Sequence, residues 1–311
     1  MSKNFLITGG AGFIGANLIR ALALAAGTGT LRVLDNLSAG RAEDLAGLPV
    51  DLVVGDIRDR EVVASAMKGV NIVIHLAAHT GVVQSVENPA HDLSINVLGT
   101  LNLLEAAREN WVERFIFAST GGAIVGNVDP PVHEEMPPRP ISPYGASKLA
   151  AEGYCSAFWG SYGLKTVALR FSNIYGPFSY HKGSVVAKFL RLLKRREELT
   201  VFGDGEQTRD FLYVEDLCQA IVRAVAADLP FGKPIQLGTG KETSINQLLG
   251  AIKQVVGPEM LPKVNYAPTR PGEVQRNFVS ISRAEKYLNF APPTGLEEGL
   301  KRTWNWFLKE N

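Results

Sequence analysis

The 311-residue sequence contains very little cysteine and no long apolar segment. Cys155 and Cys218 are its only two cysteines, too few for a disulfide framework or a zinc cluster, and both lie in apolar helical patterns that predict buried thiols. No apolar run approaches a length of about 18 residues, the minimum for a membrane-spanning helix, and no basic and apolar leader precedes the first strand. We therefore expect a cytoplasmic protein with no metal site and no membrane partner.

The sequence also lacks an excess of charge of either sign. It has 32 Lys and Arg residues against 31 Asp and Glu residues, which leaves a net charge of +1. This balance excludes the long-range field that would attract nucleic acid. The hydrophobic fraction of 46% is sufficient for a substantial core, in one large domain or two smaller ones.

A glycine-rich turn lies between the first apolar strand and the first helical pattern. Gly10, Gly12 and Gly15 fit the G-x-G-x-x-G spacing of a dinucleotide site, and Gly9 with Gly12 and Gly15 gives the G-x-x-G-x-x-G variant. Glycine lets the backbone approach a pyrophosphate closely. The phosphate charge is then met by free N–H groups at the start of the next helix, predicted from residue 11 to about residue 26.

An acidic residue follows the second strand at the position that selects between two nicotinamide cofactors. The strand is predicted from Leu31 to Leu34, and Asp35 comes about twenty residues after Gly15, as expected for the carboxylate that binds a ribose 2′-OH. A 2′-phosphate at Asp35 would meet a like charge, so the sequence favours NAD over NADP. Arg41 would weaken this preference if its loop folds back.

Strands and helices alternate regularly through the first half of the chain. Strands are predicted at 50–54, 71–76, 115–118 and 166–170, and helices at 60–67, 90–110 and 144–162. This alternation predicts a doubly wound parallel sheet, the Rossmann α/β fold. Ligands collect at the carboxyl ends of the strands in such sheets, where Asp56, Ser119, Thr120 and Asn173 fall.

The regular alternation weakens after Gly176-Pro177, where Pro, Gly and charged loops become frequent. A helix predicted over 211–227 and a strand over 234–237 then return the chain to the sheet. We therefore predict an NAD-binding Rossmann domain from residues 1–173 plus about 211–237. Residues from about 174 to 210 and 238 to 311 would form a smaller, discontinuous substrate-binding region.

Tyr144 and Lys148 form the constellation that can carry a reaction. Pro143 suits a helix entry, so the two side chains lie one turn apart on one face. A free phenol titrates near ~10, so a tyrosine base near neutral pH needs a shift of about three units, or roughly 4 kcal/mol. One ammonium at about 5 Å supplies roughly 3 kcal/mol at an effective dielectric near 20. The remainder requires the positive ring of a bound oxidised nicotinamide.

The chain resembles extended short-chain dehydrogenases/reductases of the NAD-dependent sugar epimerase/dehydratase family, close to the UDP-glucose 4-epimerases. The resemblance extends from residue 5 to about residue 290. The motifs that carry it, in order, are Thr8-Gly-Gly-Ala-Gly-Phe-Ile-Gly15, Asp35-Asn36, Gly55-Asp56-Ile57, His75-Leu-Ala-Ala78, Asn96, Tyr144-x-x-x-Lys148, Arg170-Phe-Ser-Asn173-Ile-Tyr-Gly-Pro177, Val201-Phe-Gly-Asp-Gly-Glu-Gln-Thr-Arg209-Asp-Phe211 and Arg270-Pro-Gly-Glu273.

The resemblance implies that NAD takes a hydride from C4 of a UDP-hexose and returns it to the other face of a 4-keto sugar. Tyr144 would remove the proton from the 4-OH, and Lys148 would hold the nicotinamide ribose and lower the pKa of Tyr144. Asn173, Arg209 and Arg270 would bind the nucleotide diphosphate, although the two arginines could instead pair with Asp210 and Glu273. The implied cofactor-binding residues are Gly9, Gly12, Phe13, Ile14, Gly15, Asp35, Asn36, Asp56, Ile57, Leu76, Ala77, Ala78, Asn96, Tyr144 and Lys148.

One position departs from the family pattern. Relatives commonly carry a hydroxyl five residues before the glycine that matches Gly126, where it hydrogen-bonds the sugar 4-OH, but this chain has Gly121. Three alternatives remain open: the nearby Thr120 or Ser119 takes over this catalytic role, a water does, or Tyr144 acts alone. Loss of one such hydrogen bond costs roughly 1 to 3 kcal/mol, which slows an enzyme without abolishing its activity.

The sequence favours simple epimerisation over other reactions of the family. The 4,6-dehydratases carry Asp-Glu where this chain has Gly121-Gly122, and a decarboxylase finds no clear support in additional basic groups. These two reactions and uronic acid epimerisation remain the alternatives within the family. Asn277 stands where a large Tyr excludes N-acetyl groups in the resembling epimerases, so UDP-N-acetylhexosamines are expected as further substrates. A regulator that binds NAD without chemistry is the alternative from another functional class.

Two predicted helices, near 92–110 and 144–162, carry broad apolar faces. In relatives the equivalent pair packs against its copy, so the resemblance implies a homodimer. The same residues could instead belong to the core of one chain. They are Leu98, Leu101, Leu104, Leu149, Phe158 and Trp159.

Overall fold

The computed structural model describes residues 2–260, 262–269 and 274–310. The strands are β1 Lys3–Thr8, β2 Thr28–Asp35, β3 Val50–Val54, β4 Ile72–His75, β5 Arg114–Thr120, β6 Thr166–Phe171, β7 Asn173–Tyr175, β8 Leu199–Phe202, β9 Thr208–Arg209, β10 Phe211–Tyr213, β11 Pro234–Leu237, β12 Thr243–Ser244 and β13 Val264–Ala267. The helices are α1 Phe13–Leu24, α2 Arg60–Met67, α3 Val82–Glu87, α4 Pro89–Leu93, α5 Thr100–Glu109, α6 Pro143–Tyr162, α7 Val185–Lys194, α8 Val214–Ala226, α9 Ile245–Val256, α10 Ser282–Leu288 and α11 Leu296–Lys309.

Seven parallel strands form the central sheet, in the spatial order β11-β6-β5-β4-β1-β2-β3. The order reverses between β1 and β4, which is the switch point of a doubly wound Rossmann sheet. The sequence prediction of this fold class is confirmed. The strand at 234–237 joins the edge of the sheet beside β6, as predicted.

Buried apolar runs and local caps explain why these segments form these elements. All four residues of β4 are buried, as is typical of a parallel strand covered on both faces. Ser142 caps α6 by accepting a hydrogen bond from the Gly145 N–H, and Gly163 ends that helix in the left-handed conformation at φ +71°. Across the described ranges, no helix is long and apolar enough to cross a bilayer.

The described residues form three large apolar cores and one small cluster of Val125, Val132 and Val279. One packs α1, α8 and α10 against one face of the sheet, and the second packs α2, α5 and α6 against the other face. The third joins α7, α9 and α11 with β8 and β10, away from the sheet. Cys155 and Cys218 are buried in the second and first cores, as their sequence context predicts. The third core makes a second body of structure beside the carboxyl ends of the strands.

Three predicted helix boundaries were wrong. The first helix begins at Phe13 rather than at residue 11, because Gly12 is still extended. The helix predicted over 90–110 is interrupted by a π-helical segment, Ser94–Gly99, between α4 and α5. The first three residues of the helix predicted over 211–227 form β10, which pairs with β7, because their side chains are buried in a strand pairing that no local pattern reveals.

Candidate active site

A cavity of about 720 Å³ lies along the carboxyl ends of the sheet strands. It brings together residues from the glycine-rich turn, the acidic strand ends and the start of α6, which are far apart in the sequence. The predicted site residues that line it are Gly9, Gly12, Phe13, Ile14, Gly15, Asp35, Asn36, Asp56, Ile57, Leu76, Ala77, Ala78, Ser119, Thr120, Tyr144, Lys148 and Asn173.

The glycine-rich turn is too tightly packed to accept side chains. A Cβ at Gly15 would lie 2.5 Å from both Gly10 Cα and the Gly9 carbonyl oxygen, and Gly9 itself has a φ of +69°. The first N–H groups of α1 have no intrahelical acceptor, as in any helix. Gly12, the residue before α1, has no side chain that could cap them. A close backbone approach and a positive helix end together fit a dinucleotide pyrophosphate.

Asp35 lies at the end of β2, buried at the wall of the cavity. Its carboxylate accepts hydrogen bonds from the Ala11 N–H at 3.0 Å and the Leu37 N–H at 2.8 Å. Burial raises the pKa of Asp35, whereas these two hydrogen bonds act in the opposite direction. The carboxylate therefore holds the glycine-rich turn in place and retains lone pairs for a ribose hydroxyl.

The loop that carries Arg41 folds back onto the glycine-rich turn, where the Arg41 N–H donates to the Ala11 carbonyl oxygen at 3.1 Å. The Arg41 guanidinium, however, lies 3.7 Å from Asp44 and 3.6 Å from Glu310. Arg41 is not among the described residues that line the cavity. The preference for NAD that Asp35 indicates is therefore not offset by this arginine.

Asn36 and Asp56 form a polar edge of the cavity after β2 and β3. The Asn36 side-chain amide donates to Asp56 at 3.0 Å, and Arg58 donates to the same carboxylate through two nitrogens at 2.9 and 2.8 Å. The hydrogen bond from Arg58 is the main reason why the pKa of Asp56 lies well below its ordinary value. Asp56 therefore stays ionised, and Asn36 is held beside Asp35.

Tyr144 stands in the first turn of α6 and meets the end of β5. The Thr120 side chain lies beside the Tyr144 phenol in the wall of the cavity. Burial, followed by the charge of Asp92, raises the pKa of Tyr144 to about 12, although the nearby Thr120 hydroxyl acts to lower it. The sequence predicts a lowered pKa caused by Lys148 and bound NAD. In this structure the burial of the phenol and the charge of Asp92 outweigh the opposite effect of Thr120, because burial disfavours the phenolate.

Lys148 is buried one turn after Tyr144. Its ammonium donates to the Ala118 carbonyl oxygen at 2.9 Å and lies 4.7 Å from the centre of the Phe117 ring. Burial lowers the pKa of Lys148 to about 8, and the nearby charges of Asp92 and Glu152 raise it. The two carboxylates therefore favour the charged ammonium that the proposed chemistry needs.

Ser119 contributes to a buried ionic network behind the cavity wall. Its hydroxyl donates to Glu152 at 2.6 Å, and Arg170 binds both oxygens of the same carboxylate at 2.9 and 2.7 Å. The pair is nearly fully buried, with side-chain exposures of 5% for Arg170 and 8% for Glu152. Through its hydrogen bond to Glu152, Ser119 connects β5 to α6.

Asn96 lies in the π-helical segment and supports the cavity from behind. Its side chain exchanges hydrogen bonds with the backbone of His79 at 2.9 and 3.0 Å, and it donates to Asp92 at 3.0 Å and to Ser147 at 3.2 Å. Ser147 in turn donates to the Tyr144 carbonyl oxygen at 3.0 Å. Asn96 is thus not among the described residues that line the cavity but braces the helix turn that carries Tyr144.

The sequence analysis missed Asp92, a carboxylate whose charge acts on both Tyr144 and Lys148. It is fully buried and pairs with His79 at 3.2 Å. Its spacing of four residues before Asn96 was a usable signal, because that spacing places two residues on one helix face.

A smaller cavity of about 200 Å³ adjoins the first. Asn173 lines both cavities, and Arg209 lines the smaller one. Arg209 donates to the carbonyl oxygens of Thr208 and Val274 at 2.7 and 2.8 Å. Asp210 instead binds Thr239 at 2.7 Å. The predicted substrate residue Arg270 lies outside the described residues.

Gly121 and Gly122 lie where β5 leaves the sheet. A Cβ at Gly121 would approach the Gln236 side-chain oxygen at 2.9 Å and the Phe171 carbonyl oxygen at 3.1 Å, so the space for a side chain is already filled. A Cβ at Gly122 would lie 2.1 Å from the Asn277 amide nitrogen, so Asn277 packs directly against this turn. The two glycines therefore allow Gln236 and Asn277 to close on the end of β5.

These features define an enzyme of one class. Residues 5–238 match the NAD dependent epimerase/dehydratase family, and the chain belongs to this family. It is an NAD-dependent enzyme, and the glycine-rich turn lines its larger cavity.

Among individual proteins, the chain is similar to UDP-glucose 4-epimerases. One from Mycolicibacterium smegmatis is 36% identical, with 97% of each chain covered. The crystal structure of the Thermotoga maritima UDP-glucose 4-epimerase with UDP-glucose is 39% identical, covers 98% of this chain and 99% of that one, and has a TM-score of 0.92. A UDP-N-acetylglucosamine 4-epimerase from Methanobrevibacter ruminantium is 32% identical with a TM-score of 0.91, over 99% and 98% of the two chains. Other matches are named UDP-glucuronate 4-epimerase and dTDP-D-glucose 4,6-dehydratase.

Proposed function

We propose that this enzyme interconverts the C4 epimers of a UDP-hexose, UDP-glucose and UDP-galactose, through a transient 4-keto sugar. The observation that carries the proposal is the position of Tyr144, beside Thr120, in the same cavity as the glycine-rich turn. A proton-transfer group and a dinucleotide cradle that share one cavity support hydride chemistry at a carbon bearing a hydroxyl.

The side chains of the cavity divide the work of the reaction. The glycine-rich turn and Asp35 would hold NAD, which would supply the acceptor and donor of the hydride. Tyr144 holds the proton of the sugar 4-OH while the carbon is oxidised and gives it back afterwards, and Lys148 supplies the positive charge beside it. Asn173, Arg209 and Arg270 are proposed to retain the nucleotide diphosphate, because a hexose that must turn over cannot itself be held tightly.

The hydroxyl that Gly121 lacks is proposed to come from Thr120 rather than from Ser119. Thr120 contacts the Tyr144 phenol, whereas Ser119 donates to Glu152 inside the fold. Successive residues of a strand point to opposite faces, so only one of the two hydroxyls can approach Tyr144. Of the three alternatives left open by the sequence, this one has support from a contact.

Thr120→Val is expected to reduce kcat by about 10-fold to 100-fold, equivalent to one lost hydrogen bond of about 1 to 3 kcal/mol. Valine keeps the shape of threonine but donates no proton to the phenol. Thr120→Ser, which retains the hydroxyl, is the matched control and should keep most of the activity. Steady-state turnover of UDP-galactose measures the effect. A larger loss in Ser119→Ala than in Thr120→Val would contradict the assignment.

The width of the sugar pocket is proposed to depend on Asn277. Asn277 is not among the described residues that line either cavity, but it packs against Gly122, just after the strand that carries Thr120, so a larger residue there would narrow the space beside the sugar. We expect the wild type to convert UDP-N-acetylglucosamine and Asn277→Tyr to lose that activity while it still converts UDP-glucose. Equal rates on UDP-N-acetylglucosamine in the two proteins would contradict this proposal.

A substrate panel tests the reaction itself. The purified enzyme is incubated with UDP-glucose, UDP-galactose, UDP-glucuronate and dTDP-glucose, and the products are identified by NMR. Epimers at C4 with unchanged mass support the proposal. A product lighter by one water would indicate a dehydratase, and unchanged sugars with tightly bound NAD would indicate the non-catalytic regulator.

The enzyme is proposed to act as a homodimer. Val83, Val86, Leu93, Leu98 and Tyr154 expose apolar side chains on α3, α6 and the helices between them, with exposed fractions between 40% and 64%. Leu104 and Phe158, by contrast, are buried within the chain. The predicted apolar faces thus divide between core and surface, and the surface part is the proposed contact.

A further inference from the structure

Lys182 is a lysine of the larger cavity that neither the sequence motifs nor the proposed chemistry assigns to a role. It lies in the irregular segment between β7 and α7 and lines the cavity that contains Tyr144. In the part of the chain that the structure describes, no carboxylate forms an ion pair with it. A partly buried ammonium that faces a ligand cavity without a protein anion has an unmet requirement for negative charge.

The position of Lys182 relative to the two cavities identifies the part of a ligand that it can reach. The next residue, Gly183, lines the smaller cavity, and Ser184 lines both. Asn173 also lines both cavities, so these residues mark the seam where the two meet. A UDP-sugar with its hexose at Tyr144 and its nucleoside in the smaller cavity must place its diphosphate at this seam.

The backbone around Lys182 is held in place from several directions. Its N–H donates to the Ser179 carbonyl oxygen at 2.9 Å, and Arg191 donates to the carbonyl oxygens of Lys182, at 3.2 Å, and of Tyr180. Asn17 donates to the Pro177 carbonyl oxygen at 2.9 Å. A fixed backbone limits the positions that the ammonium can take, which reduces the entropy lost when it binds an anion.

The positive charge of Lys182 and the positive end of α7 favour the binding of an anion. Burial lowers the pKa of Lys182, and a phosphate beside it would favour the charged form again. α7 begins directly after this segment, and its cap residue Ser184 makes no side-chain cap. The positive end of α7 therefore faces the same seam.

From this geometry we propose that Lys182 is a substrate-binding residue whose ammonium contacts the diphosphate of the nucleotide sugar. The inference rests on the proposed function, because it takes the ligand to be a nucleoside diphosphate sugar. It adds a charged contact from the β7–α7 segment to the proposed contacts of Asn173 and Arg209. The other anion within reach of the cavity is the pyrophosphate of NAD, and the experiment separates the two.

The test compares wild type, Lys182→Met and Lys182→Arg, each loaded with NAD, with Lys253→Met as a matched control at an exposed position of α9. Calorimetric titration with UDP should show binding weakened about tenfold or more in Lys182→Met, the range of one charged hydrogen bond. Lys182→Arg should recover part of that loss. Uridine, which has no phosphate, should bind Lys182→Met and wild type alike, and KM for UDP-galactose should rise with kcat nearly unchanged.

Different outcomes overturn different claims. Unchanged UDP affinity in Lys182→Met, with wild type that binds UDP, overturns the role of Lys182 alone. Loss of NAD from Lys182→Met with unchanged UDP affinity assigns the lysine to the cofactor and overturns the proposal. A rise in KM for UDP-glucuronate only would indicate a sugar carboxylate as the contact and overturn it as well. A wild-type enzyme that binds no UDP would remove the proposed function, and the inference with it.

Discussion

Tyr144→Phe is expected to lower turnover of UDP-galactose by at least about 10²-fold, the lower end of what a positioned acid or base contributes. Phenylalanine keeps the ring that α6 places beside Thr120 but holds no proton for the sugar 4-OH. The fold and the glycine-rich turn do not depend on the phenol oxygen, so the variant should keep wild-type NAD content. Progress curves and the NAD released on denaturation measure the two quantities.

The matched control is Tyr162→Phe, which removes the same oxygen from the same helix. Tyr162 is 54% exposed and is the last residue of α6. Its replacement should leave turnover within about twofold of wild type, as is usual for a surface substitution. Wild-type turnover in Tyr144→Phe would remove Tyr144 from the mechanism, and equal losses in both variants would indicate a general effect on α6.

Gly15→Ala is expected to abolish NAD binding and to destabilise the fold by about 1 to 3 kcal/mol, the usual cost of forcing an atom into a filled space. The added methyl group would lie 2.5 Å from Gly10 Cα and from the Gly9 carbonyl oxygen. These neighbours are backbone atoms, so the glycine-rich turn itself must move. NAD content and the midpoint of thermal unfolding measure the effect.

Gly153→Ala is the control for this substitution. Gly153 is exposed in α6, and apart from the backbone of its own helix no described atom lies within 4 Å of a Cβ placed there. Alanine in a helix interior is favoured over glycine by about 0.5 to 1 kcal/mol, so this variant should unfold at the same or a higher temperature and keep its NAD. NAD retention in Gly15→Ala would contradict the importance of the close packing.

The local patterns of the sequence predicted the sheet and the cofactor turn well. Strand 50–54 and helix 60–67 lie where the alternation places them, because an apolar run in the strand and the Asp59 cap of the helix determine these segments locally. The glycine spacing and Asp35 predicted the cavity wall for the same reason, since strand, turn and helix are contiguous in the chain. Asp35 also proved to anchor the turn through Ala11, a contact that the spacing does not show.

The sequence by itself therefore determined the class of fold, the cradle for NAD and the pairing of Tyr144 with Lys148 on one helix face. Only the tertiary structure placed Thr120 in the cavity wall with Tyr144 and Ser119 against Glu152, brought the charges of Asp92 and Glu152 near Lys148, and set Lys182 in the wall of the larger cavity. The physical reason is the distance along the sequence between the residues that determine each feature. Element type depends on neighbours within a few residues, whereas each of these contacts joins segments that only the packing of helices on the sheet brings together.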